Sequence, residues 1–276
     1  MVTKIFLSIS ALVAIAFIAL AINKVRADQE IDRIWRSLEV VPAEHSFTED
    51  MVAELPAPVK RYFLHAIAPG TPVASSVSLE MSGSFRMAQD KPWIPMQAKE
   101  IISALKGLVW KPVIGSGLSQ FVGTDYYANK SGRMRFFLWG VIPLVNAHSP
   151  DINRSSIGRF VGELIWLPSA LLPEYGVSWQ AIDEKTIQAS LKIDSEPVTL
   201  TLVIDTNGKL LKLSLPRWGE HTEDGSFAYI PFGGEVQKEH TFGGFTIPSQ
   251  MSVGWWFGTD RYSEFFRATI EQAEFR

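Results

Sequence analysis

Three acidic residues with apolar or aromatic neighbours are the first candidates for chemistry in this sequence. They are Glu100, Asp125 and Glu163. Two carboxyls facing each other across a cleft can act as general acid and base on a glycosidic bond. A structural ion pair is the alternative for each acid, because a buried carboxyl needs either a raised pKa or a paired cation. The cations considered for such pairs are Arg86, Arg133 and Arg135.

Aromatic residues are the second set of candidates, since the chain contains nine tryptophans and six tyrosines. Packing in the core is one explanation for them. The other is that several line a pocket for an acyl chain or a similar apolar ligand, because ligand sites have mostly apolar walls with a few polar groups. Trp255 and Trp256, which are adjacent on a predicted strand, should point to opposite faces. The residues predicted to bind the ligand are Trp110, Tyr127, Trp166, Tyr229 and Trp255.

Other enzyme and binding classes have little support. The chain has no Gly-x-Ser-x-Gly elbow, Walker loop or complete dinucleotide fingerprint, and no cysteine. Its five histidines lack the spacing of a metal pair, so we predict no metal site and no cofactor. Removing the three basic residues that flank the N-terminal apolar stretch leaves 23 basic against 29 acidic residues, a charge of −6, which disfavours nucleic acid as a partner.

The elements that must position these residues are mainly strands. Apolar residues alternate with polar ones over 77–87, and Asn207-Gly208 marks a hairpin between two further apolar runs. We therefore predict an α+β, β-rich fold, in which a curved antiparallel sheet forms a half-barrel around a packed helix. The remaining strands are predicted at 96–103, 125–129, 133–138, 187–193, 198–204, 210–215, 251–256 and 266–270.

One predicted helix carries Glu163. Ser155 and Ser156 are its candidate caps, an apolar stripe begins at Ile157, and Pro168 ends or kinks it. Glu163 follows Arg159 by four residues, so the two could form a surface pair worth roughly 0.2–0.5 kcal/mol. The alternative is that Glu163 faces inward.

The N-terminus carries an 18-residue stretch, 5–22, that is apolar apart from two serines. As a helix it rises about 27 Å, close to the hydrocarbon thickness of a bilayer. A cleaved signal peptide is the alternative, although the apolar run is longer than the usual core of roughly 7–15 residues. The predicted organisation is a transmembrane anchor over 1–26, a helical juxtamembrane segment over 27–70 and a β-rich domain over 71–276.

The charges around this stretch leave its orientation open. Lys4 lies on one side and Lys24, Arg26, Arg33 and Arg36 on the other, so the positive-inside rule alone puts the domain in the cytoplasm. The resemblance of the stretch to a signal sequence favours the opposite side. We expect a single-pass membrane protein with an extracytoplasmic domain.

Two sequence motifs resemble those of a known family. Leu55-Pro56-Ala57-Pro58-Val59-Lys60-Arg61-Tyr62 is one, and the run from Gly162-Glu163 through Trp166 to Pro173 is the other. With Gly244-Phe245-Thr246-Ile247-Pro248, they are similar to a family of uncharacterised bacterial membrane-associated proteins, classed as a domain of unknown function. The resemblance implies an architecture similar to that of periplasmic lipoprotein carriers, and it implies no catalytic residues.

Three functions follow as hypotheses. The first is a membrane-tethered protein that binds a lipid or other hydrophobic ligand in a cavity of the sheet. The second is a hydrolase acting on a lipid or glycan near the membrane, with Glu163 as acid or base and Arg135 or Tyr127 positioning the substrate. The third is a structural or partner-binding module, which would show a large exposed apolar patch without a cavity.

Overall fold

A computed structural model describes residues 2–40 and 44–276 of the chain. Residue 1 of the predicted anchor and residues 41–43 of the predicted juxtamembrane segment lie outside the described residues. The described residues form three α-helices, and short 3-10 turns follow the third over residues 164–175. Their bounds are Val2–Leu38 for α1, Ala57–Ala66 for α2 and Pro150–Glu163 for α3.

Thirteen strands form one antiparallel sheet. Their spatial order is β6-β5-β4-β3-β2-β1-β13-β12-β11-β10-β9-β8-β7, so the chain builds one arm outward from β1 and returns through β13 to form the other arm. In chain order the strands β1 to β13 are Ser76–Phe85, Ile94–Ser103, Gly107–Ile114, Phe121–Ala128, Ser131–Leu138, Ile142–Ala147, Ser178–Ala181, Thr186–Ile193, Glu196–Ile204, Leu210–Gly219, Ala228–Phe242, Phe245–Trp255 and Ser263–Phe275.

Alternation along the strands determines which face is buried. In β8, for example, Ile187, Ala189, Leu191 and Ile193 are all buried, while the residues between them are partly or fully exposed. The buried faces line the concave side of the curved sheet, and α3 lies in that concavity between the two arms, packed on β5 and β10. The sheet does not close. The predicted curved antiparallel sheet with a packed helix is therefore confirmed.

Helix α3 begins earlier than the sequence analysis predicted. Ser149 is its N-cap and accepts a hydrogen bond from the backbone N–H of Ile152 at 3.2 Å, and Pro150 occupies the first turn. The prediction of Ser155 and Ser156 as caps was wrong, because proline at the first helical position is a start signal that needs no apolar periodicity.

Helix α1 is continuous through residue 26, and its C-terminal half packs on the convex face of the sheet. Ile31 and Leu38 are buried there among residues of β2, β3 and β4. Glu30 accepts a hydrogen bond from Arg135 at 2.7 Å, and Asp32 pairs with Lys111 at 3.0 Å. The N-terminal half is exposed. From Phe6 onward the helix is long and apolar enough to cross a membrane, and none of its most apolar 18-residue window is buried in the protein.

Candidate functional site

A cavity of about 810 Å³ lies between the concave face of the sheet and α3. This is within the range of roughly 300–1,000 Å³ that is common for small-molecule sites. Strands from both arms supply its walls, because inward-facing positions of β3, β4 and β5 lie across from those of β10, β11 and β12. The main apolar lining residues are Phe85, Trp110, Ile114, Phe121, Met134, Phe136, Ile165, Trp166, Leu213, Phe232, Met251, Val253, Trp255, Trp256, Phe265 and Phe266.

Four tryptophans contribute to these walls. Trp166 donates its indole N–H to the carbonyl of Pro248 at 3.0 Å, which fixes its ring. Trp110 is buried, and its indole N–H has no hydrogen-bond partner among residues 2–40 and 44–276. The prediction that Trp255 and Trp256 point to opposite faces was wrong, since both line the cavity. Strand β12 ends at Trp255, and Trp256 has a left-handed backbone (φ 60°), which turns its side chain to the same side.

The polar part of the site is centred on Arg159 of α3. Its guanidinium donates from Nε to Glu163 at 2.7 Å and from Nη1 to Asp125 at 2.6 Å. Nη2 lies 3.5 Å from Glu100, and the guanidinium stands over the Trp110 ring at 4.8 Å. All three acids identified in the sequence therefore meet on one cation. The Arg159–Glu163 pair is formed, but it faces inward rather than solvent.

The carboxyls of Glu100 and Glu163 are within hydrogen-bonding reach of each other. Burial is the main cause that raises the pKa of Glu100 well above its ordinary value, and the charge of Glu163 raises it further, while Arg159 acts in the opposite direction. Each of the two carboxyls also has one buried oxygen without a hydrogen bond to the described part of the protein. A proton on Glu100 would allow the two carboxyls to hydrogen-bond to each other.

A second arginine, Arg217 of β10, also lines the cavity and packs against α3. Its Nε donates to the Ser155 carbonyl at 3.1 Å, and its guanidinium lies over the rings of Phe232 and Trp255 at 4.7 and 4.9 Å. Burial, followed by the nearby charge of Arg159, lowers the pKa of Arg217 to about 10, so it stays charged at neutral pH. Burial and then the Arg217 charge lower the pKa of His221, whose ring centroid lies 4.3 Å from that of Trp255 at an interplanar angle of 33°.

This arrangement favours binding over acid–base chemistry. Glu100 is fully buried behind the cavity wall and does not line it. Asp125 and Glu163 do line it, but both are bound by the same guanidinium. A glycosidase needs two carboxyls about 5–9.5 Å apart, one free to act on each side of the bond. Glu100 and Glu163 are closer than this, because they lie within hydrogen-bonding reach of each other.

The structure brings together some of the predicted site residues and separates others. Trp110, Trp166, Trp255 and Glu163 line the cavity. The remaining three, Tyr127, Tyr229 and Arg135, are not among its lining residues.

Each of these three has a partner elsewhere. Tyr127 stacks on Phe160 of α3 with centroids 6.1 Å apart and donates to the carboxylate of Asp194. Tyr229 is half exposed, lies edge-on to Trp218 at 5.0 Å and donates to Glu196. Arg135 points to the convex face, where it holds Glu30 of α1.

Arg217 is the main cavity residue that the sequence analysis did not single out. A signal was available, because Arg217 shares the inward parity of Leu213 and Leu215 on β10. An arginine at the inward-facing positions of a strand, alternating with buried leucines, is predicted to be buried. A buried charge needs hydrogen-bond or ionic partners.

Solved structures with similar folds include a LolA superfamily protein from Nitrosomonas europaea, at 9% identity and a TM-score of 0.42 over 80% of this chain and 92% of that one. A DUF1329 family protein from Desulfovibrio piger is 10% identical, with a TM-score of 0.36 over 82% of this chain and 91% of that one.

A third similar structure is a putative outer membrane lipoprotein-sorting protein domain from Vibrio parahaemolyticus, at 8% identity and a TM-score of 0.34 over 73% of this chain and 86% of that one. No curated protein matches the sequence. A family model does match, over residues 53–275, and it confirms the relationship indicated by the motifs. The chain belongs to the DUF6920 family, a family of unknown function.

Proposed function

We propose that this protein is a membrane-tethered binding protein that holds one hydrophobic molecule, such as a lipid acyl chain, in the cavity of its half-barrel. The observation that carries the proposal is the cavity itself, whose walls are mainly aromatic and aliphatic. Burial of apolar ligand surface against such walls is favourable by roughly 25 cal/mol per Å². The anchor is the exposed apolar half of α1, and the domain is extracytoplasmic in this proposal.

The polar cluster gives the ligand an orientation. Asp125, Arg159, Glu163, Arg217 and His221 supply the charged or titratable groups near α3 and β10, while most other lining residues, such as Trp166 and Leu213, are apolar. A molecule with an apolar chain and one polar end therefore matches the distribution of side chains. The hydrolase alternative would require Glu163 or Asp125 to exchange Arg159 for a substrate.

The test is native mass spectrometry of the full chain, released from detergent micelles after incubation with palmitic acid. The informative change is Val253→Trp, because Val253 lines the cavity and a larger side chain there fills it. Ser252→Trp is the matched control, since Ser252 directly precedes Val253 in β12 and its side chain points to the opposite face of the sheet. Wild type should retain one acyl chain per protein.

We expect Val253→Trp to raise the Kd for palmitic acid by about tenfold, which corresponds to roughly 1.4 kcal/mol, and Ser252→Trp to leave it unchanged. Circular dichroism checks that both variants keep the sheet. Equal retention by all three proteins would mean that the fatty acid binds outside the cavity, for example along α1, and would contradict the proposal.

A further inference from the structure

The loops 86–93, 220–227 and 256–262 contribute residues to the cavity lining and form its mouth. Because neighbouring strands are antiparallel, these three loops and the loops 115–120 and 139–141 all lie at the same end of strands β1–β6 and β10–β13. Met87, Gln89 and Glu220 are exposed and line the cavity, and each belongs to one of these loops. The interior therefore communicates with the outside at this end.

The same loops present large apolar side chains to the outside. Leu118 is 86% exposed, Met87 66% and Trp139 51%. Leu144, which follows in β6, is 54% exposed and lines the cavity as well. An apolar rim around an apolar cavity is typical of a surface that contacts another apolar phase.

Contacts of α1 show which way the apolar helix leaves the domain. Just past its C-terminal end, the N–H of Val40 lies 3.4 Å from the Ser76 hydroxyl, at the beginning of β1. Further toward the N-terminus, Asp32 pairs with Lys111 of β3, and the Lys24 ammonium stands 5.6 Å from the ring of Phe137, one residue before the end of β5. The helix thus runs toward the loop end of the sheet.

The contacts between α1 and β3 give the position of the loops along the axis of α1, relative to the apolar stretch 5–22. From Lys111 to Ile114 the strand advances about 10 Å at ~3.3 Å per residue. The same distance corresponds to about seven residues of helix at 1.5 Å each, which places the end of β3 level with residue 25. The 115–120 loop extends further, so Leu118 lies level with the C-terminal end of the apolar stretch 5–22.

We infer that the loop end of the sheet rests on the bilayer that holds α1, with Leu118 and Trp139 in the membrane interface and the cavity mouth open to the lipid. This rests on the proposed anchoring by α1. Tryptophan favours this interface because its ring is apolar and its N–H is polar. The ligand then passes between bilayer and cavity without crossing water.

The chain contains no cysteine, so single labels can be introduced directly. Three variants of the full chain are labelled with an environment-sensitive fluorophore and reconstituted into vesicles of phosphatidylcholine with brominated acyl chains. Leu118→Cys tests the rim. Leu105→Cys is the matched control, an exposed leucine in the β2–β3 loop at the opposite end of the sheet, and Ala14→Cys reports on the anchor.

We expect the label at 118 to be quenched at least about twofold more than the label at 105, approaching that at 14, because an interfacial side chain lies about 5–10 Å into the headgroup and acyl boundary. Equal quenching at 118 and 105, with strong quenching at 14, would overturn the membrane-facing mouth while leaving the anchor and the ligand cavity intact. Absence of quenching at 14 would overturn the anchor, and the membrane-facing mouth with it.

Discussion

Glu100→Gln should flatten the pH dependence of stability. Glu100 is fully buried, and its pKa in the folded protein is raised well above its ordinary value. The folded state therefore keeps a proton that the unfolded state releases as the pH rises past the ordinary pKa. A group with a raised folded pKa stabilises fully below the unfolded pKa, and this contribution is lost as the pH rises through the folded pKa.

The magnitude follows from one proton. Within the window that opens at the ordinary pKa and closes at the folded pKa of Glu100, the free energy of unfolding falls by about 1.4 kcal/mol per pH unit. Glutamine has the shape of the protonated acid and cannot ionise. Each pH unit of the window should therefore separate wild type and Glu100→Gln by about 1.4 kcal/mol. For a domain of this size, that is a Tm difference of about 3–6 °C per pH unit.

The measurement is thermal unfolding of the full chain in detergent between pH 5 and 7, followed by tryptophan fluorescence. Exposed Glu54→Gln is the control, because it removes an acid without changing the buried cluster. The wild-type Tm relative to that of Glu100→Gln should fall as the pH rises, and the curve of Glu54→Gln should remain parallel to that of wild type. Parallel curves for Glu100→Gln and wild type would show that Glu100 does not hold a proton, and would refute the account of the cluster.

Two further predictions concern the packing around α3. Arg159→Met should lower the free energy of unfolding by about 3–5 kcal/mol, because it leaves buried carboxylates without their cation. Arg154→Met is the control on the same helix, since it removes an exposed pair with Glu196 and should cost no more than about 1 kcal/mol. Denaturant titration measures both changes. Gly132→Ala should cost about 1–3 kcal/mol, since its new methyl group would lie 2.6 Å from the Ser156 hydroxyl. By contrast, the new methyl group of Gly162→Ala meets only the ends of two leucine side chains, Leu215 at 3.4 Å and Leu213 at 3.9 Å, and this change should raise the Tm because alanine favours the helix. Similar costs for each pair would contradict the described packing.

Much of the sheet was predictable because burial on one face imposes a period of two. The strands β1 and β8 and the Asn207-Gly208 hairpin all follow from local patterns that the structure confirms. The start of α3 was missed for the opposite reason, since its first turn, Pro150 to Asn153, is mostly polar and has no apolar periodicity.

The geometry of the site could not be predicted from local patterns, because it depends on contacts between distant parts of the chain. Local spacing predicted the Arg159–Glu163 pair, but Glu100 and Asp125 come to the same guanidinium from β2 and β4. Tyr127 shares the inward parity of Asp125, yet α3 covers it through Phe160. Which part of a concave face is covered by a helix and which part stays open is decided by the curvature of the sheet, and no local pattern encodes it.

The attachment of α1 to the sheet affects how far the domain can travel. A flexible linker lets a tethered domain explore a volume that grows with linker length. Here Glu30, Ile31 and Asp32 fix the helix to β3, β4 and β5, so there is no slack between the apolar half and the domain. If α1 is the anchor, this rigid attachment keeps the domain, and with it the cavity, at a fixed distance from the membrane. Under the proposed function, a protein that delivers or collects the ligand has to come to the membrane where α1 is anchored.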